Sequence, residues 1–191
     1  MEPFILRVHD IIENTSVNGP GNRICIWLQG CDRDCPGCFN QPARSKTGGT
    51  DMSVDDLMRR ITAGEYDGVS LSGGEPFLQP QPVRELLRRV RLEGMDTLVF
   101  TGYTFEQLKA DPVLSAPLEY VDYLVDGPYM RDIESFCSLT GSGNQRVLRL
   151  ADSKIAEDLT QSFSDGCAAS EVVIGDDGQI TITGFDDILL K

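Results

Sequence analysis

Three cysteines, Cys31, Cys35 and Cys38, stand close together in the stretch GCDRDCPGCFNQPA, residues 30–43, with the spacing C-x3-C-x2-C. A disulfide uses a pair of thiols and a closed structural zinc site uses four ligands, so a trio asks for different chemistry. Thiolates hold iron–sulfur clusters, and closely spaced cysteines on one loop can wrap a cubane of four irons. A three-cysteine set leaves one iron without a protein ligand, and an open metal position is what a reactive site needs. Gly30, Pro36 and Gly37 suit the tight turns of such a wrap. Other readings remain open here. Zinc would need a fourth ligand, but the single histidine, His9, falls on an expected strand far away in sequence. A closed electron-transfer cluster would need Cys137 or Cys167; these two, with Cys25 inside an apolar run, otherwise read as small buried side chains.

The elements that must position this loop alternate along the chain. FILRVHDII and ICIWLQ read as strands, the second running into the cysteine loop. SVDDLMRRITAG reads as a helix with Ser53 as N-cap, Asp55 and Asp56 in its first turn and Gly64 past its end. GVSLSGG is a buried strand, and PQPVRELLRRVRLEG is an amphipathic helix with Val83, Leu86, Leu87 and Val90 on one face. DTLVFTG, YVDYLVDG and QRVLRL follow as strands, TFEQLKAD and SKIAEDLTQSF as helices, and SEVVIGDDGQITITGF as a β-hairpin around Asp177-Gly178. Strands separated by helices imply βαβ units, so the expected class is α/β with a mainly parallel sheet, plus the C-terminal hairpin. One domain over residues 1–191 is expected, with a core at about 5–150 and a helix-and-hairpin extension at 151–191.

Ligands of such sheets sit in the loops after the carboxyl ends of the strands. That rule gathers the cysteine loop, SGGE (Ser72, Gly73, Gly74, Glu75), TGY beginning at Thr101 and DGP beginning at Asp126 at one end. Taken alone, SGGEP is a strand-to-helix turn with Pro76 starting a helix, and DGP is an ordinary turn.

Composition narrows the partners. Acidic residues outnumber basic ones by 30 to 17, a formal net charge of −13, which repels nucleic acid and anionic membranes. The N-terminus shows no secretion-signal pattern and no stretch is apolar enough to span a bilayer, so a cytoplasmic protein with reduced thiols is expected. With one histidine and no nucleophile motif, hydrolytic or acid–base catalysis is not indicated.

CDRDCPGCF resembles the cysteine motif, closed by an aromatic residue, of the radical S-adenosylmethionine superfamily, and SGGEP resembles that superfamily's second motif. More narrowly, NGPGNRICIWLQGC, LSGGEPF, FTGYTFEQL, YLVDGPY and GSGNQRVL stand in the order found in the small activating enzymes of anaerobic ribonucleotide reductase, a glycyl radical enzyme. The resemblance implies a partial (β/α)6-type barrel and a [4Fe-4S] cluster held by Cys31, Cys35 and Cys38, with the amino and carboxylate groups of S-adenosylmethionine on the remaining iron. It places Ser72, Gly73, Gly74 and Glu75 around the methionyl group, Phe39 near the adenine, and Thr101 and Asp126 among the ribose and methionyl contacts. No catalytic side chain is implied beyond cluster and cofactor. The implied reaction is reductive cleavage to a 5'-deoxyadenosyl radical that takes hydrogen from a glycine of a partner glycyl radical enzyme, fed by a one-electron reductant such as flavodoxin or ferredoxin. A stand-alone radical enzyme acting on a peptide or small molecule is the alternative, and a non-catalytic iron–sulfur or zinc protein the lesser one. The chain departs from the pattern twice: Asn18 replaces an aspartate common in that family, and residues 151–191 exceed its smallest members.

Overall fold

In the computed structural model, which describes residues 3–38, 40–135, 137–164, 169–174, 178 and 180–184, the apolar runs become strands of one sheet. Four of them, β2 (Arg23–Leu28), β4 (Gly68–Gly73), β5 (Asp96–Phe100) and β6 (Tyr123–Asp126), are parallel neighbours. Helices α1 (Val54–Ala63), α2 (Pro80–Leu92) and α3 (Phe105–Ala110) fill the crossovers. The sheet is extended antiparallel on both sides, by β1 (Ile5–Thr15) and β3 (Thr50–Ser53) before β2, and by β7 (Arg146–Ala151) and β8 (Lys154–Asp158) after β6. The order β3-β1-β2-β4-β5-β6-β7-β8 leaves β3 and β8 as unjoined edges, so the sheet stays open, as a partial barrel must. Strands β9 (Ser170–Ile174) and β10 (Ile180–Gly184) pair as the expected C-terminal hairpin; Asp177 lies outside the described residues.

Alternation explains how the parallel strands serve two interiors. Ile24, Ile26 and Leu28 of β2 and Val69 and Leu71 of β4 join Leu57 and Ile61 of α1 and Val83, Leu86, Leu87 and Val90 of α2 in one apolar core. Each such side chain contributes roughly 1.5–3 kcal/mol by leaving water. The intervening residues, Arg23, Cys25 and Trp27 on β2 and Ser70 and Ser72 on β4, face the other side of the sheet. Local signals hold where they are chemical: Ser53 Oγ caps α1 by accepting from Asp56 N at 3.0 Å, and Thr104 with Gln107 forms a capping box on α3.

Two local expectations fail. Residues 153–163, expected as a helix, form β8 followed by a short 3-10 turn at Thr160–Phe163. Asp152 and Ser153 both take left-handed φ, 50° and 57°, the geometry of a two-residue hairpin turn, and so fold the chain back on β7. Every residue of β8 is exposed, so no alternation marks it as a strand, while Leu159 and Phe163, packed on Leu98, Val125 and Val147, imitate a helical spacing. Likewise Thr50–Ser53, within what reads as a connection, pairs with β1 as an edge strand. Among the described residues no helix is long and apolar enough to cross a membrane.

On the far face of the sheet Arg23 is fully buried. Its guanidinium donates to Ser70 Oγ (2.7 Å), the carbonyls of Pro20 (3.0 Å) and Val69 (3.1 Å), and Asp96 (2.6 Å), so each nitrogen is satisfied. Replacing Arg23 with Met keeps the volume but removes the donors of the buried Ser70 Oγ and Val69 carbonyl, whereas Asp96, 36% exposed, and the exposed Pro20 can turn to water. Arg23→Met should cost about 2–3 kcal/mol, read as a lower denaturant midpoint at unchanged slope; a loss near zero would remove Arg23 as a structural tie.

Candidate active site

The cysteine loop leaves β2 at Leu28 and is closed at its base by its own returning chain. Gly30 N donates to Ala43 O (2.7 Å) and Cys31 N to Arg44 O (3.1 Å), while Gln29 Nε2 donates to the carbonyls of Pro42 (3.0 Å) and Ser45 (2.6 Å). Inside the loop, Cys38 N donates to Cys35 O (3.2 Å), Gly37 has φ +72°, and Arg33 N donates to Cys31 Sγ (3.4 Å). The loop's flank is pinned to the next-but-one strand loop: the Arg33 guanidinium lies 4.0 Å over the Tyr103 ring, whose hydroxyl donates to Asp32 at 2.9 Å.

The turn after β4 closes directly on this loop. Gly74 N donates to Leu28 O (2.7 Å) and Glu75 N to Gly30 O (2.8 Å). The glycines are demanded by that approach: a Cβ on Gly74 would lie 2.2 Å from Gly30 O, and Gly73, at φ +102°, would press one within 2.5 Å of the Leu28 backbone. Glu75 then turns inward, 1% exposed, and its carboxylate accepts from Thr101 Oγ1 (2.8 Å), Gly102 N (2.9 Å) and Phe77 N (3.1 Å). Burial pushes its pKa from 4.5 up to about 7, against the opposing pull of the Gly102, Phe77 and Thr101 bonds.

These loops enclose a cavity of about 500 Å³. Cys31, Cys35 and Cys38 line it together with Ser72, Gly73, Gly74, Glu75 and Thr101, as the strand-end rule expects. Asp126 is not among the lining residues. Its buried carboxylate is spent on Arg146 (Nε 2.9 Å, Nη2 2.5 Å) and on Phe105 N at the start of α3 (2.7 Å), and Gly127 lines the wall in its place. Phe39 and Cys167 lie outside the described residues. Cys25 is fully buried with its thiol pushed up to about 12 by burial, and Cys137 sits in the smaller core, so neither reaches the cavity. Among the described residues no three His, Cys, Asp or Glu side chains converge on a single ion; in a cubane each thiolate binds a different iron.

Several wall residues are not apparent from sequence. His9 is one, although far from the loop in sequence. Val8 pairs with Leu28 and Asp10 with Trp27, so His9 is the extra residue of a β-bulge, a device that re-aims side chains. Its Nδ1 is 2.9 Å from Gln29 Oε1. Trp27, Arg44 and Tyr129 also line the cavity, and so do Ile180, Thr181, Ile182, Thr183 and Gly184 of the hairpin. Asn18 explains part of that placement: its amide donates to Thr15 Oγ1 (3.0 Å) and Thr183 Oγ1 (2.7 Å), which an aspartate could not do.

The 4Fe-4S single cluster domain family matches residues 17–148, which hold all three cysteines of the loop and the SGGE turn. The chain belongs to this family. It is 36% identical over 147 residues to the anaerobic ribonucleoside-triphosphate reductase-activating protein of Escherichia coli K12, covering 70% of this chain and 92% of that one. To the protein of the same name from Enterobacteria phage T4 it is 33% identical over 139 residues, 69% and 86% of the two chains. The pyruvate formate-lyase 1-activating enzyme of E. coli K12 is 33% identical over 152 residues, 76% of this chain and 61% of that enzyme. Among solved structures, QueE from E. coli aligns with TM-score 0.43 and 20% identity over 52% of this chain and 53% of its own. With its activating relatives the chain is a radical S-adenosylmethionine enzyme, and its cofactors are a [4Fe-4S] cluster and S-adenosylmethionine.

The wall of this iron–sulfur enzyme fits such a load. The three thiols that line the cavity are half-exposed, whereas Cys25 and Cys137 are buried elsewhere. Beside them Arg44 carries a buried Nε–H with no partner among the described residues, a cationic donor available to an anionic group.

Glu75 supplies a test on the cofactor-free protein. Its folded pKa lies above its unfolded one, so the native state holds a proton that the unfolded chain has lost between pH 4.5 and about 7. Stability from this group is full below that window and falls as pH rises through it. Glu75→Gln should flatten the fall in Tm between about pH 5 and pH 8 relative to wild type. An equally steep fall in the variant would show that other groups carry the pH dependence.

Proposed function

We propose that this enzyme is an activating enzyme of the anaerobic ribonucleotide reductase type, which takes hydrogen from a glycine of a partner glycyl radical enzyme. One observation carries the reading. Three thiols share a cavity with the Gly73–Glu75 turn at the carboxyl ends of parallel strands, in a chain spanning 92% of the E. coli activating protein.

Cys31, Cys35 and Cys38 are assigned to three irons, leaving the fourth to the amino and carboxylate groups of S-adenosylmethionine. When bound, cluster and cofactor supply one-electron cleavage of the sulfonium and a 5'-deoxyadenosyl radical that abstracts hydrogen. The chain's own part is position and exclusion of water. The Gly30–Glu75 and Leu28–Gly74 backbone bonds fix the cysteine loop against the turn that receives the methionyl group. Glu75 accepts from Thr101 and Gly102 and so holds both in place, and it keeps a carboxylate at the cavity wall. Trp27, Phe100 and Tyr129 give the cavity apolar surface that excludes water. That Cys31, Cys35 and Cys38 are only partly buried supports reduction by a one-electron donor such as flavodoxin or ferredoxin. The acidic composition supports a cytoplasmic setting without nucleic-acid or anionic-membrane partners. The stand-alone reading, with a peptide or small-molecule substrate, is favoured by one observation, the hairpin that lines one side of the cavity.

The test is anaerobic incubation of the reconstituted enzyme, reductant and S-adenosylmethionine with a candidate glycyl radical enzyme. A stable backbone radical should arise on the partner and disappear when its acceptor glycine is replaced by alanine; turnover of S-adenosylmethionine with no radical on any such partner would favour the stand-alone reading. Cys38→Ala should lower iron content and abolish the partner radical, whereas a variant that retains a full four-iron cluster would remove Cys38 from the ligand set.

A further inference from the structure

Hairpin β9–β10 lies beyond residues 17–148, where the family matches, yet Ile180 to Gly184 line the same cavity as the cysteine loop. Register places Glu171 opposite Thr183 on one face, and both make polar contacts with the body. Asn18 Nδ2 donates to Thr183 Oγ1 (2.7 Å), which donates to Asn18 Oδ1 (3.1 Å), and Ser16 N and Oγ donate to Glu171 Oε1 (2.9 and 2.8 Å). On the opposite face Val172 stands beside Ile182 and Ile174 beside Ile180, and these side chains are 44–69% exposed even though Ile180 and Ile182 border the cavity. Little apolar area therefore holds the hairpin down, and a two-stranded ribbon is at best marginal by itself.

Size limits what the cavity can admit with the hairpin in place. About 500 Å³ is the space one cofactor-sized ligand fills. S-adenosylmethionine is such a ligand and would share that space with the cluster, so little of it is left for a glycine-bearing loop of a second protein while the hairpin is in place.

We propose that β9–β10 is a displaceable lid on the cavity, latched by the Asn18–Thr183 pair, and that a protein substrate enters by displacing it. The latch is a property of the free chain; the displacement rests on the activating role proposed above. Low-cost local opening of this kind is expected where few apolar contacts and a few hydrogen bonds define a segment.

Trp27, the only tryptophan, lines the cavity and reports on the lid without any cofactor. In the cofactor-free full chain, Thr183→Val should raise acrylamide quenching of Trp27 about twofold or more and speed amide exchange in residues 170–174 and 180–184, while Thr183→Ser, which keeps the hydroxyl, should match wild type. Wild-type quenching and exchange in Thr183→Val would overturn the latch. With the loaded wild-type enzyme, adding the partner protein should remove exchange protection from the same strands. Radical formation on the partner with the strands still protected would overturn displacement and make the hairpin a fixed wall. Loosening by Thr183→Val with no radical on the partner would support the latch and count against the activating role.

Discussion

The site depends on one buried carboxylate. Glu75 accepts hydrogen bonds from Thr101, Gly102 and Phe77, while its own backbone amide reaches Gly30 at the root of the cysteine loop. Three loops that follow three different parallel strands, β2, β4 and β5, are thereby fixed relative to one another by one residue. Burying a carboxylate is costly, and the raised pKa is the sign of that cost. Its compensation is positional: the thiol-bearing loop has neither helix nor strand of its own over Cys31–Cys38 and takes its place from such ties.

Much of this was legible because the signals are local. C-x3-C-x2-C needs only a loop, and SGGEP needs only a strand before it and a helix start after it. The helices α1 and α2 follow from apolar spacing that packing then honours, with Leu57, Ile61, Leu86 and Val90 buried. The reason for the glycines was less visible. The resemblance places them around the methionyl group, yet Gly74 is held to glycine first by Gly30 O, an atom 44 residues earlier in the chain.

What sequence does not reveal depends on contacts between distant segments. His9 reaches the cavity through a bulge that no composition signals, and Asp126 leaves it because Arg146, on an antiparallel neighbour, claims its carboxylate. Edge strands β3 and β8 carry little apolar periodicity because at least one of their faces is wet. The Asp-Gly dipeptide announced the hairpin but not its resting place. That place depends on Asn18 and Thr183, two neutral side chains 165 residues apart that satisfy each other in a buried setting.

The central claim is a three-ligand cluster whose fourth iron is open to S-adenosylmethionine. It is tested most directly by low-temperature electron paramagnetic resonance of the anaerobically reconstituted, reduced protein with and without that cofactor. An open iron predicts a single four-iron signal whose g-values shift when S-adenosylmethionine is added. A spectrum unchanged by saturating cofactor would mean that a protein side chain completes the cluster, and would contradict the claim.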